Sequence, residues 1–167
     1  MERLFSPWRS RYIESFKSPT EQKNECVFCS ALSVGEDKER LVIHRSSHAF
    51  VIMNLYPYNS GHMMIVPNRH TSDFSSLTSE EVTDAIKLLQ TAQTALTELV
   101  KPHGYNIGMN LGRAGGAGIE DHLHWHIVPR WNGDTNFMPV LADLKLVSED
   151  MEEQWESLTS IFRKLLP

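Results

Sequence analysis

The sequence predicts an α+β domain with a mainly antiparallel sheet, one central helix and a C-terminal helix. Three patterns carry that expectation: short β-rich runs in close succession, a long segment of helical period after Thr78, and two strand-like runs flanking a glycine-rich turn ahead of an amphipathic tail. Leu41-Val42-Ile43, Ala49 to Met53 and Met63 to Val66 are separated by Arg45-Ser46-Ser47 and by Tyr56-Pro57-Tyr58-Asn59-Ser60-Gly61, as in an antiparallel meander. The polar segment Ser33 to Arg40 before them reads as a connection. From Thr78 the period changes, with Val82, Ile86, Leu89, Ala92, Leu96 and Leu99 on one expected face, Thr78 and Glu81 at capping-box spacing, and Pro102 as the stop. Strand grammar returns over Tyr105 to Leu111, pauses in the Gly112 to Gly118 loop, and resumes over His122 to Val128 before a turn at Asn132-Gly133. A last helix is expected over about Glu149 to Leu166, with Met151, Trp155, Leu158, Phe162 and Leu165 on its inner face.

Composition narrows the class. The 167 residues, 41% hydrophobic and 22% charged, suit a single globular domain that can stand without disulfides. Its core is expected at about 26–130, with an N-terminal segment 1–25 and a C-terminal extension 131–167. Sixteen Lys and Arg against 21 Asp and Glu leave a net charge of -5, which provides no basic field for nucleic acid. The longest apolar run, Phe137 to Ala142, contains a proline and is far shorter than the ~20 residues of a membrane helix, so no membrane span is expected. Met1 to Arg9 lacks the secretory pattern, making a reducing cytoplasm the expected location. Paired cysteines there are more often metal or redox groups than disulfides.

The chemistry concentrates in His122-Leu123-His124-Trp125-His126-Ile127-Val128. A strand's period of two puts the imidazoles on one face and Leu123, Trp125 and Ile127 on the other. A sheet face that merely tolerates polar residues is the plain alternative, but three alternations against large apolar residues favour function. Imidazole is a nucleophile, a proton carrier and a metal ligand, so covalent catalysis and a three-histidine catalytic metal are both open. Just upstream, Gly112, Gly115, Gly116 and Gly118 can expose N–H groups, and Arg113 adds a cation, as a phosphate would require. An ordinary hairpin connection has the same composition. Cys26-Val27-Phe28-Cys29 has the gap with which a tight turn brings two thiolates to one Zn²⁺, with two ligands left to find. A reduced, metal-free pair is the alternative, and a redox pair lacks the apolar strand that would precede it.

The histidine run resembles the histidine-triad motif of the HIT superfamily of nucleotidyl hydrolases and transferases, and the resemblance extends from about Cys26 to Arg130. Asn54 and His62 look like the family's ribose-contacting asparagine and its glycine-histidine strand. Asn110 lies where the family keeps an Asn or Gln near the phosphates, and Val128 to Met138 is similar to the branch holding bacterial diadenosine polyphosphate phosphorylases.

The resemblance implies a HIT-like fold, a homodimer with joined half-sheets, and displacement at the α-phosphorus of a nucleotide substrate such as diadenosine tetraphosphate. His124 would be the nucleophile, forming a nucleotidyl-histidine that water or inorganic phosphate then resolves. His126, His62, Asn110, Arg113, Gly116 and Gly118 would bind the phosphates and Asn54 the nucleoside. It further implies that His70 and His122 complete a structural Zn²⁺ site with Cys26 and Cys29. Gly118 and Ile119 stand where many family hydrolases carry Gln or Ser/Thr, leaving the leaving-group acid unassigned; Glu120 and Asp121 read as solvated turn residues. Two rivals stand beside this reading: a metallohydrolase using all three triad histidines, and a non-catalytic nucleotide-binding regulatory module. His44, His48 and His103 are expected in solvent, Arg9 and Arg11 on the surface, Trp125 and Trp155 inside, and Trp131 as the indole nearest a ligand. Phe50, Ile52 and Leu55 are either core or an adenine slot.

Overall fold

The β-rich runs pair as one antiparallel sheet in the order β1-β2-β3-β5-β4, formed by β1 (Val42–Arg45), β2 (Ala49–Met53), β3 (Met63–Pro67), β4 (Gly104–Met109) and β5 (Trp125–Arg130). The computed structural model describes residues 26–33, 35–134 and 150–166; Arg9, Arg11 and the run Phe137 to Ala142 lie outside these. Among the described residues three helices pack on it: α1 (Val27–Ser33), α2 (Ser79–Val100) and α3 (Met151–Leu165). Short 3₁₀ turns cover Phe74–Ser76 and Arg113–Gly115.

Every residue of β2 and β3 is buried because both faces of the sheet are covered. Val51, Met53, Met63, Ile65, Trp125 and Ile127 pack beneath α2 and α3, while Phe50, Ile52, Met64 and Val66 meet Phe28 and Ala31 of α1. Phe50 and Ile52 are therefore core, whereas Leu55 is exposed. Helix α2 starts at the expected capping box, with the Glu81 N–H donating to Thr78 Oγ1 and the Thr78 N–H to Glu81 Oε2. It stops at Lys101, in the left-handed region just before Pro102.

The buried stripe of α2 differs in phase from the expected one. Ala85, Leu88, Leu89, Ala92, Ala95 and Leu96 face the sheet, and Val82 and Ile86 are exposed. The alanines let the helix lie close to the sheet. Glu81 fixes the rotation from below, because its carboxylate takes a two-point ion pair from Arg69, whose guanidinium holds it at about 2, well below the usual carboxylate range. On α3, Leu158, Ile161 and Phe162 are buried and Leu165 is exposed, again a small rotation from expectation. Asp150 caps α3, Glu152 and Glu153 follow in its first turn, and Arg163 and Lys164 occupy its last, each sign matched to the helix dipole.

Two further departures shape the site. Cys26 and Cys29 do not sit in a tight turn: Cys26 immediately precedes α1 and Cys29 lies in its first turn. A helix of seven residues is too short to persist alone. Burial of Phe28, worth about 2 kcal/mol, and the Arg45 guanidinium, which donates to the Ala31 and Leu32 carbonyls and to Asp37, hold it in place. Strand β5 begins only at Trp125, so His122 and His124 precede it rather than lie within it. His44 is half-buried against Phe162 at 6.0 Å, with its pKa lowered by that burial, rather than solvated as expected; His48 and His103 are exposed.

Candidate active site

Strands β3 and β5 are neighbours, and the register Met64↔His126 sets His126 on the sheet face that α1 covers. From there an unbroken row of rings runs across the face. His62 and His126 have centroids 5.1 Å apart, His126 and His124 4.9 Å, and Phe28 lies 5.1 Å from His124 and 5.4 Å from His122. His122 in turn meets His70 at 5.0 Å. His62, His122 and His124 are buried and His126 is partly exposed.

Main-chain groups determine which nitrogen of each ring carries the proton. The Tyr58 N–H donates to His62 Nδ1 (3.1 Å), where the Asn54 amide also donates (3.2 Å), so the His62 proton sits on Nε2. That Nε2–H donates to His126 Nδ1 (2.9 Å), which leaves the His126 proton on its own Nε2 as a donor. His124 Nδ1–H donates to the His122 carbonyl (2.8 Å), leaving a lone pair on His124 Nε2. His122 Nε2–H donates to the Pro67 carbonyl (2.8 Å), which frees Nδ1 as an acceptor. Burial lowers the pKa of His124, and burial together with the neighbouring His124 pushes His126 down to about 4. Both rings are thus neutral at physiological pH.

His122 Nδ1 points at the cysteines. It lies 3.3 Å from Cys26 Sγ, 3.7 Å from Cys29 Sγ and 3.3 Å from His70 Nδ1, and Cys29 Sγ is 3.3 Å from His70 Nδ1. All four donor atoms lie within 4.8 Å of one another. Bonds of about 2.0–2.3 Å in a tetrahedron require ligand spacings of about 3.3–3.8 Å, so the group has the dimensions and the donor chemistry to hold a metal ion. The Pro67 carbonyl orients the His122 ring, as outer-shell partners of metal-bound histidines do.

The remaining expected site residues distribute unevenly. The pairs Gly108↔His126 and Met109↔Trp125 carry the chain to Asn110 beside His124, and Gly108 leaves space next to His126. The Asn110 amide donates to the Gly116 carbonyl (3.3 Å), and Gly116, at φ +88°, holds the left-handed bend that lets the loop turn back. Arg113 and Gly118 are exposed on this loop. His62 differs from expectation: both its nitrogens are engaged by protein groups, so it orients His126 and offers no donor of its own to a phosphate. The Asn54 amide likewise serves the turn, accepting from the Tyr56 N–H (2.9 Å) while donating to His62. Trp131 lies in the turn closed by Asp134.

Phe28 and Tyr58 escape sequence reasoning. Phe28 walls the triad from α1, and the Tyr58 ring, half-exposed, lies 4.7 Å from His62 and 6.0 Å from His126. The only available signal for Tyr58 was its place in the turn leading to Gly61-His62. Three triad imidazoles on one ion do not fit this geometry, because both nitrogens of His122 are turned elsewhere, Nδ1 to the thiols and Nε2 to the Pro67 carbonyl.

The HIT domain model matches residues 35–133, and the chain belongs to the HIT family. An AP-4-A phosphorylase of Mycobacterium tuberculosis is 34% identical over 89% of this chain and 78% of its own length. An adenosine 5'-monophosphoramidase of Schizosaccharomyces pombe is 26% identical over 81% of this chain and 96% of its own. Among solved structures, a Zn-bound histidine triad family protein from Mycobacterium smegmatis superimposes with a TM-score of 0.68 at 28% identity, covering 84% of this chain and 95% of that one.

The depressed His126 pKa has a measurable sign. Between about pH 6.5 and about 4 the unfolded chain binds a proton at this position that the folded chain refuses, so the contribution is full above that window and is lost as pH falls through it. In ¹⁵N-resolved imidazole spectra His126 should remain the neutral Nε2–H form down to about pH 5. Titration near the ordinary histidine value would overturn the assignment.

Proposed function

We propose that this HIT-family enzyme cleaves the α-phosphate linkage of dinucleoside polyphosphates, diadenosine tetraphosphate being the representative substrate, through a nucleotidyl-His124 intermediate. One observation carries the reading: the His124 Nδ1–H bond to the His122 carbonyl, which leaves a neutral imidazole with its Nε2 lone pair available. In the first step a P–N bond forms at Nε2 while the P–O bond to the polyphosphate breaks, and that leaving oxygen departs with the electron pair. In the second, an oxygen of water or inorganic phosphate bonds to the phosphorus, the P–N bond breaks with its electron pair returning to Nε2, and the acceptor's proton passes to solvent, which leaves His124 neutral. His126 Nε2–H is aimed as a donor to a non-bridging oxygen, with His62 fixing its tautomer. Asn110, Arg113 and the N–H groups near Gly116 and Gly118 complete the phosphate environment, and Asn54 borders the nucleoside side. The 34% identical AP-4-A phosphorylase supports a diadenosine polyphosphate over other nucleotides. Tautomers set for attack and donation favour an enzyme over a non-catalytic binding module.

The thiolate and imidazole donors of Cys26, Cys29, His70 and His122 suit Zn²⁺, which these residues would hold as a structural rather than a catalytic ion, joining α1 to the segment bearing His124. A reducing cytoplasm, which keeps cysteines from oxidising to a disulfide, fits this chemistry, and among the described residues no helix is long and apolar enough to cross a membrane. Strand β4 is an edge of the sheet with Ile107 half-exposed, which supports a homodimer that joins two half-sheets there.

Mass spectrometry after brief mixing with diadenosine tetraphosphate should find a nucleotidyl adduct on the native protein and none on His124→Ala, whose turnover should fall by at least about a thousandfold. ADP formed only with added phosphate identifies a phosphorylase and AMP a hydrolase, whereas full turnover in the variant eliminates the nucleophile. Elemental analysis should give about one zinc per chain, and its removal by a chelator should lower the Tm; a Tm indifferent to chelation would contradict the structural role. Sedimentation should report a dimer that Ile107→Lys dissociates, and a monomeric native protein would remove the joined-sheet assembly.

A further inference from the structure

We propose that Gln154, on a helix outside the matched HIT domain, is a positioning residue for the His62–His126 pair. This rests on the reading of His126 as the phosphate donor. The family match ends at residue 133, whereas α3 spans Met151–Leu165, so nothing in the domain itself requires a contact from α3 to the histidines. Yet Gln154 is buried, at 7% exposure, and its side chain is directed at the turn that carries His62. Its Oε1 accepts from the Gly61 N–H (3.2 Å) and its Nε2 donates to Ser60 Oγ. A buried amide with both ends committed to one turn restrains that turn in two directions.

The turn is held from its other sides as well. The His62 N–H donates to the Asn59 carbonyl (3.1 Å), and the Asn59 amide donates to the Pro129 carbonyl (3.0 Å) and to Asp134 Oδ2 (2.7 Å). Gly61 sits at φ +78°, and a Cβ there would lie 2.7 Å from Leu96 Cδ2, so its backbone rests directly on α2. Gln154 supplies the hydrogen-bonding partner on this tightly packed side, one residue before His62. The helix that presents it is itself anchored by Leu158 and Phe162, both fully buried. Position is therefore transmitted from α3 through Gly61 to the His62 ring, and through its Nε2–H to His126.

The test compares Gln154→Met, which keeps the volume and removes both bonds, with Gln154→Glu, which keeps an acceptor for the Gly61 N–H and can accept from the Ser60 hydroxyl. Trp155→Phe, on the same helix but without a bond to the turn, controls for loss of stability alone. With diadenosine tetraphosphate, Gln154→Met should lower kcat by about ten- to a hundredfold with KM within about twofold, the range seen when a group that orients a reactive residue is lost. Gln154→Glu should recover kcat to within about threefold, and Trp155→Phe should lower the Tm with kcat preserved. The ¹⁵N signals of His62 and His126 should move toward mixed tautomers in Gln154→Met only. Unchanged kcat and unchanged imidazole signals in Gln154→Met overturn the proposal, as does an equal loss of kcat in Trp155→Phe. If the native protein does not turn over the dinucleotide, the functional reading fails, and the imidazole spectra alone decide whether Gln154 positions the pair.

Discussion

Each imidazole in the row from His62 to His122 has one nitrogen bound by a main-chain group or by a ring that is itself so bound. The Tyr58 N–H and the carbonyls of His122 and Pro67 are the fixed points, and they cannot rotate away as side chains can. Four identical side chains are thereby set differently: His62 donates to its neighbour, His126 keeps its proton on Nε2, His124 keeps a lone pair there, and His122 turns a lone pair toward the cysteine thiols. Low local polarity reinforces the arrangement, because burial keeps His124 and His126 neutral and a neutral ring has one donor and one acceptor to assign.

The sheet makes this possible by being buried on both faces. Helices α2 and α3 cover one face with aliphatic side chains, and among the described residues the short α1 with the imidazoles themselves covers the other. Polar rings in such a place need hydrogen-bond partners, and one nitrogen of each is held by the loop before β3, the last residue of β3, the segment before β5 or the neighbouring ring. The histidine geometry and the fold thus use the same contacts, which is why the residues leading into a strand matter as much as the strand.

Much of the fold was legible from periodicity. The strand runs, the capping box at Thr78 and Glu81, the stop at Pro102 and the triad all depend on local patterns that neighbouring residues express. What was not legible depends on contacts distant in the chain. Helix α1 has too few turns to show a stripe, and it exists because Arg45 and the underside of the sheet hold it. The rotation of α2 followed its alanines and buried Glu81 rather than Val82 and Ile86, since close approach and an ion pair outweighed side-chain hydrophobicity. His62 could be located by its glycine neighbour, yet its partner His126 lies 64 residues away, and no local pattern reveals which nitrogen faces which.

The Arg45 fork on the end of α1 has a consequence for how the cysteines meet a metal. A strand residue clamps the last carbonyls of a helix whose first turn carries Cys29, so the helix is docked by contacts that involve none of the four ligands. Cys26 and His122 are 96 positions apart in the chain, a loop whose closure is entropically costly in an unfolded polypeptide. In the folded domain the Arg45 and Phe28 contacts of α1 share in closing that loop, so the order around the four donor atoms does not rest on those donors alone.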